Sequence, residues 1–487
     1  MNVETPVAPT TESSWGRLEA LARARFGREF PEFRLSTELM AGLTTFMVMA
    51  YILFVNPSIL SSADAPDKLT VAAVTTSTAL VAGVMTILMG LATNRAYAIA
   101  PGMGLNAIVA FQLIGAMGLT ASQAMGVIVA EGVVITVLVL LGIRKYVMTA
   151  IPVELKRAIS VGIGLFILFI GLVKGGIVVA DPATLVRMGD LRGAPVLVTV
   201  VGLFLTIALM ALNVRGSLLW GVVGGTIFSI IVRSVSGTTQ FAPGVAEVPS
   251  KWIAAPDFSR IGDFSFGYFS ELGVLTAVLV ILALMMADFF DTMGTLIGVG
   301  SQAGYLDENG ELPQAQRALL VDSLAAVAGG AASSSSATTY IESAAGVGVG
   351  GRTGLVSIVV GVLFLFSMPF WPIVDVVPDQ ATAPALIIVG WLMMSVLSER
   401  DYVTASGAVV KTRGIDFANI EEGLPVVATM VMMPLTYNIT NGIGAGFIMW
   451  TAIKIFKGKF AEIHPVMYVI SIAFFIYFIR TYLGVDV

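Results

Sequence analysis

Asp288 and Asp291 stand three residues apart in Leu284-Met285-Met286-Ala287-Asp288-Phe289-Phe290-Asp291-Thr292-Met293-Gly294-Thr295, and the Thr295 hydroxyl follows the second acid by four. On a helix those side chains fall near one face. A third acid, Glu342, sits in Thr338-Thr339-Tyr340-Ile341-Glu342-Ser343, among hydroxyls and beside a glycine-rich stretch running to Gly354. An ionised side chain at the centre of a bilayer costs roughly 2.5–3.5 kcal/mol on insertion scales, so an acid kept inside an apolar run marks binding or proton transfer. Two such half-sites, each with an acid, can face one cavity. The chain has 0 Cys and a single histidine, His464, near the start of its last apolar stretch. Thiolate chemistry and disulfides are thereby excluded, no metal or other cofactor is expected, and an intramembrane enzyme would lack a nucleophile-base pair. Glu131 meets the same cost criterion in the fourth apolar stretch but belongs to neither half-site, so its role stays open. Asp322 and Asp375 read as interfacial or capping, and Lys174 as snorkelling to outer headgroups.

The elements that must position these acids are membrane helices. Hydrophobic residues make up 56% of the 487 and charged residues 12%, with a mean hydropathy of +0.90, against roughly 45–50% and 25% in soluble domains. Apolar stretches run near 38–57, 72–92, 97–116, 123–142, 151–173, 195–213, 217–234, 270–300, 318–331, 337–350, 353–374, 382–397, 422–437, 439–456 and 465–484, fifteen in all. This is an all-α polytopic membrane protein embedded in the lipid bilayer. Basic residues gather in alternate connectors, at Arg95, at Arg144 with Lys145, at Arg215 and at Lys454 with Lys457 and Lys459. By the positive-inside rule the N-terminus is cytosolic, in the cell (cytoplasmic) membrane. Residues 1–34 are polar, carry Arg17, Arg23, Arg25 and Arg28 at amphipathic spacing, and lack the apolar core of a cleaved signal. The net charge of -5 points to no nucleic-acid partner. Whether 465–484 crosses the membrane is left open.

Two stretches are broken by glycine and proline: Ala100-Pro101-Gly102-Met103-Gly104-Leu105-Asn106-Ala107 and the run from Ser333 to Gly354. Irregular backbone at membrane depth survives only where it lines a cavity or is buried in protein. They are the third and the tenth stretch, the same place in two sets of seven, and an odd-numbered repeat must invert. Gly346-Val347-Gly348-Val349-Gly350-Gly351 matches a dinucleotide pattern but has no βαβ setting, and no GK[ST] element offers coupling to ATP. The energy available is an ion or proton gradient.

The runs from Ala41 to Pro57, Ala100 to Ala107, Asp288 to Thr295 and Thr338 to Gly354 resemble those of the AzgA-like purine permeases, a branch of the nucleobase-ascorbate transporter superfamily. The resemblance spans about 35 to 456. It implies about fourteen helices in a 7+7 inverted repeat. A core domain would comprise 35–142 (helices 1–4) and 266–376 (helices 8–11), and a gate domain 143–265 (helices 5–7) and 377–487 (helices 12–14 with the C-terminal stretch), after the 1–34 cytosolic segment. It implies proton symport of hypoxanthine, guanine or adenine, bound between short segments in helices 3 and 10, by movement of core against gate. Asp291 falls where the superfamily has its helix-eight glutamate, Glu342 where it has a helix-ten glutamate or glutamine, and Asp288 and Asn106 at polar positions of the purine branch. The fifteenth stretch exceeds the family count. Related proteins dimerise through the gate, so a homodimer is an expectation.

A flat base with ring N–H donors beside ring-nitrogen and carbonyl acceptors needs matching groups in one plane and an apolar slot. Asp291 and Glu342 are expected to accept its N–H groups, and backbone amides near Ile341 and Met103 to complete the edge. Thr45, Phe46 and Asn106 are expected to line the slot, and Thr339 and Thr295 to supply hydroxyls. Desolvation disfavours an ionised carboxylate, so Asp288, Asp291 and Glu342 are the proton-coupling candidates, with one of the two aspartates preferred. The rival transporter reading is an anion carrier of the related two-domain inverted-repeat fold, which the acids and the lack of a fixed cation disfavour. Which purine is preferred is not legible.

Overall fold

Backbone N–H and C=O groups cannot be left bare at membrane depth, and the fold is built around a buried pair of short strands set among its helices. The computed structural model describes residues 14–142, 150–307, 312–313, 315–395, 400–403, 409–412 and 414–479. In chain order the helices are α1 (Ser14–Phe26), α2 (Leu35–Met49), α3 (Ile52–Leu60), α4 (Val71–Thr93), α5 (Met103–Ala107, continued by the π-helical Ile108–Ala116), α6 (Ala121–Leu140), α7 (Val153–Lys174), α8 (Ala194–Ala211) and α9 (Ser217–Ser236). They continue with α10 (Tyr268–Leu272), α11 (Val274–Ala303), α12 (Ala315–Ala331), α13 (Ser343–Val349), α14 (Gly354–Ser367), α15 (Trp371–Asp375), α16 (Asp379–Met394), α17 (Ile420–Thr436), α18 (Ile439–Phe456) and α19 (Pro465–Ile479). Among the described residues, nine helical segments are long and apolar enough to cross a membrane, Leu35–Leu60 among them as one run. The chain is a multi-pass membrane protein.

Two of the fifteen expected stretches are not helical throughout. The third and tenth open as strands, β1 (Ile99–Pro101) and β4 (Ala337–Thr339), before turning helical. The last stretch is helical as α19 over the described Pro465–Ile479. It lies along α18, with Ser471 2.8 Å from Thr451 and Phe474 edge-on to Phe447. Residues 480–484 of that stretch, 396–397 of the twelfth, and Arg144 and Lys145 lie outside the described residues. Peripheral strands pair as hairpins, β2 (Val178–Asp181) with β3 (Leu185–Met188) and β5 (Arg400–Val403) with β6 (Val409–Thr412).

Helix packing falls into two groups drawn from alternating parts of the chain. In one, α4 lies on α14, α12 on α6 and on α4, and α2 on α13 and α14; in the other, α7 lies on α16 and α17, α17 on α18, and α8 and α9 on each other and on α16. Glycine sets the closest crossings. A Cβ on Gly90 of α4 would collide with the backbone of Gly354 in α14, and one on Gly354 with Gly90; seven residues along, Gly83 and Gly361 repeat the contact. Such backbone approach is how membrane helices gain packing without a hydrophobic driving force. Gly90→Leu is therefore expected to cost about 1–3 kcal/mol or more. It should read as a lowered thermal-unfolding midpoint in detergent, whereas Gly348→Ala, whose Cβ meets only Gln302 at 3.5 Å, should melt close to the parent. Coincident melting of Gly90→Leu and the parent would refute the crossing.

Candidate substrate site

The central sheet is two strands of three residues, β1 and β4, antiparallel with Ile99 opposite Thr339, Ala100 opposite Thr338 and Pro101 opposite Ala337. All six residues are buried. Side chains and loops satisfy what so small a sheet cannot. The Thr86 hydroxyl is 2.9 Å from both the N–H and the carbonyl of Ile99, Gly102 N–H donates to Ser336 O at 2.9 Å, and Tyr340 N–H donates to Ala98 O at 2.9 Å. The Tyr340 hydroxyl donates to the Pro101 carbonyl, and proline itself needs no partner for an N–H. Before β4 the chain turns through Ser333 and Ser335 at φ 59° and 72°. Asn56 of α3 holds that turn by donating to Ser334 O at 3.1 Å and to the Thr78 hydroxyl at 2.8 Å.

Asp322 was expected at an interface or a helix cap, and the structure corrects this. It is 3% exposed and accepts from Thr339 N–H at 2.7 Å, the Thr339 hydroxyl at 2.7 Å and the Thr292 hydroxyl at 2.6 Å. It pins β4 to α11 and α12. Lys174 is likewise no snorkelling residue: its ammonium donates to Ser58 O at 2.6 Å and to Asp379 Oδ1 at 3.0 Å, joining the end of α7 to α3 and α16.

A cleft opens where α5 and α13 leave the sheet. From the β1 side it is lined by Gly102, Met103, Gly104 and Leu105; from the β4 side by Thr339, Tyr340, Ile341 and Glu342; from α11 by Ala287, Asp291 and Thr295; and from α7 and α16 by Ile163, Val389 and Met393. Six expected binding residues meet there: Asp291, Glu342, Ile341, Met103, Thr339 and Thr295. Glu342 Oε1 accepts from the buried Tyr51 hydroxyl at 2.8 Å. Lysine, arginine and histidine are absent from the described lining.

Thr45, Phe46 and Asn106 do not line the cleft. Phe46 stacks edge-on against Phe364 at 5.1 Å, and Thr45 lies under Gly346, where any side chain on that glycine would strike its hydroxyl. Asn106 is fully buried with neither amide atom hydrogen-bonded. Asp288 also lies off the cleft, 1% exposed. Helical spacing explains the last result. Residues 287, 291 and 295 repeat every four and form the stripe toward the cleft, while 288 and 292 form the neighbouring stripe toward α6 and α12. Tyr51 and Tyr340 were missed as site residues; both lay within or beside the quoted runs, but only the fold reveals their partners. The glycine pattern at 346–351 is preceded by a strand after all. That strand, β4, pairs antiparallel with β1, so no βαβ unit forms.

The Permease family profile matches residues 36–409. The guanine/hypoxanthine permease PbuG of Bacillus subtilis is 41% identical over 91% of this chain and 96% of its own. The adenine permease AdeQ of Escherichia coli is 39% identical over 90% of this chain and 91% of its own. Among solved structures, the transmembrane domain of a cyanobacterial bicarbonate transporter, BicA, superposes with a TM-score of 0.59 at 15% identity, covering 85% of this chain and 98% of that one. At that identity the likeness is one of fold. These relatives make the chain a transporter and not an enzyme.

Proposed function

The chain belongs to the Permease family, and on that premise we propose that it carries purine nucleobases across the cell membrane by proton symport. One observation carries the reading: Asp291 and Glu342, from two separate parts of the chain, line one cleft beside the β1–β4 sheet together with apolar Ile163, Val389 and Met393. Carboxylates suit ring N–H donors, the apolar wall suits a flat ring, and no fixed cation among the described residues lines the cleft to hold an anion. The guanine/hypoxanthine and adenine permeases among its relatives support the same substrate class.

In this reading Asp291 and Glu342 accept purine N–H groups and the amides near Met103 and Ile341 meet the base's acceptors. Thr339 and Thr295 lie within reach at the cleft, and Tyr51 orients Glu342. Asn106 and Thr45 support the two strand-helix segments from behind. The cycle moves a core (35–142 and 266–376) against a gate (143–265 and 377–487), elevator-fashion, and the two packing groups of helices support that division. The β1–β4 pairing across equivalent breaks supports a 7+7 inverted arrangement of about fourteen helices. A cytosolic N-terminus follows from the positive-inside rule, and a homodimer through the gate completes the proposal.

The test is uptake of radiolabelled hypoxanthine, guanine, adenine and uracil, with bicarbonate and sulfate as anion arms, into proteoliposomes under an imposed inward proton gradient. One pH unit can support about tenfold accumulation at one proton per base. Purine accumulation collapsed by a protonophore is the expected result. Anion uptake without purine uptake by folded protein would replace the reading with the anion carrier.

A further inference from the structure

Behind the cleft lies a second group of acids that substrate binding leaves unused. Glu131 on α6, Asp288 on α11 and Asp322 on α12 are 0%, 1% and 3% exposed. Asp322 is fully engaged with Thr292 and Thr339. The other two are not. Neither oxygen of Glu131, nor Oδ1 of Asp288, nor the buried Ser336 hydroxyl makes a hydrogen bond of good geometry. Glu131 faces Asp288 and Ser336, with Asp322 beyond. Asp288 lies within reach of Glu131 and of the Thr338 hydroxyl of β4, and feels the charge of Asp322 and of its own helix's Asp291. Among the described residues, the charged groups that act on the pair, from α6, α11 and α12, are all acids.

Two carboxylates facing each other without a cation cannot both stay ionised away from water. A proton resolves the conflict, because a protonated acid donates to its neighbour and fills the vacant acceptor. A metal ion would do so too, but no group of acid, His or Cys side chains among the described residues is drawn together as a metal's ligands are. Position gives the proton a task. Asp288 is less than one helical turn from Asp291, which lines the cleft, so a proton can pass between water in the cleft and the pair through Asp291. Charge on the pair also bears directly on Asp291.

We propose that Glu131 and Asp288 form the proton-binding site of the carrier, set one layer behind the substrate carboxylates, with Glu131 holding the coupled proton. This rests on the purine-carrier reading. Per cycle, one proton leaves outer water for the pair and is released from it to inner water, without bond changes in the substrate. Glutamine at 131 is a permanently neutral analogue of the protonated acid, so it separates proton carriage from space-filling.

The experiment uses the full chain in proteoliposomes and two readouts with guanine or hypoxanthine: counterflow against internal unlabelled base at equal pH, and accumulation under a proton gradient. For Glu131→Gln the ratio of accumulation to counterflow is expected to fall at least tenfold below the parent's, and counterflow to lose its pH dependence. A parent-like ratio and pH profile would overturn the proposal, as would accumulation driven by a sodium gradient and abolished in the variant. If Glu131→Gln is not recovered folded, Glu131→Asp decides: accumulation with a shifted pH profile upholds the site, and an unshifted profile overturns it. Absence of counterflow in the parent itself would instead sink the purine reading.

Discussion

Glu342→Ala should lower the initial rate of purine uptake about 100-fold, the consequence of losing roughly 3 kcal/mol of charge-assisted hydrogen bonding to the base. Two losses combine at this position. The acceptor facing the cleft disappears, and the buried Tyr51 hydroxyl, which donates to Glu342 Oε1 at 2.8 Å, is left without a partner. Glu342→Gln separates them. The amide oxygen can still take the Tyr51 proton while the charge is gone, so its defect should be smaller, about tenfold. Asp291→Asn removes the charge from the facing acid and belongs in the same series. Rates with labelled hypoxanthine, normalised to folded protein, give the answer. Parent-like uptake by Glu342→Ala would remove Glu342 from the substrate site and with it the proposed binding geometry.

Asp322→Ala should destabilise the protein by roughly 3 kcal/mol, because it removes a buried carboxylate that accepts three hydrogen bonds and leaves the Thr339 N–H and hydroxyl without an acceptor, while Thr292 keeps the Thr338 hydroxyl. Its target is β4. With three residues, that strand lacks the ladder to hold itself, and Asp322 supplies Thr339 with both a backbone and a side-chain acceptor. Asp322→Asn keeps the size and one acceptor, so its loss should be about half as large. Thermal unfolding in detergent, with and without guanine, measures both. The Ala variant should also lose the ligand-induced rise in melting temperature, since displaced Thr339 and Tyr340 no longer frame the cleft. A parent-like midpoint for Asp322→Ala would mean that β4 is held by β1, the serine turn and Asn56 without Asp322.

The membrane class, most helix positions, the two breaks at 97–116 and 337–350, and the acids Asp291 and Glu342 were all legible in the sequence. Each rests on local cost. A long apolar run, a proline-glycine break or a carboxylate among aliphatics is expensive in any membrane fold, so its presence can be read without knowing neighbours. The family likewise followed from runs of consecutive residues. Pairing was decided only in three dimensions. Nothing in the order of residues says that Tyr51 reaches Glu342 across 291 positions, that Asp322 is an anchor and not a cap, or that Lys174 finds Asp379. Nor could composition tell Asp288 from Asp291. Three residues of helix turn one acid to the cleft and the other toward Glu131. The two acids cost the same to bury, and only the elements packed on each face of α11 give them different surroundings.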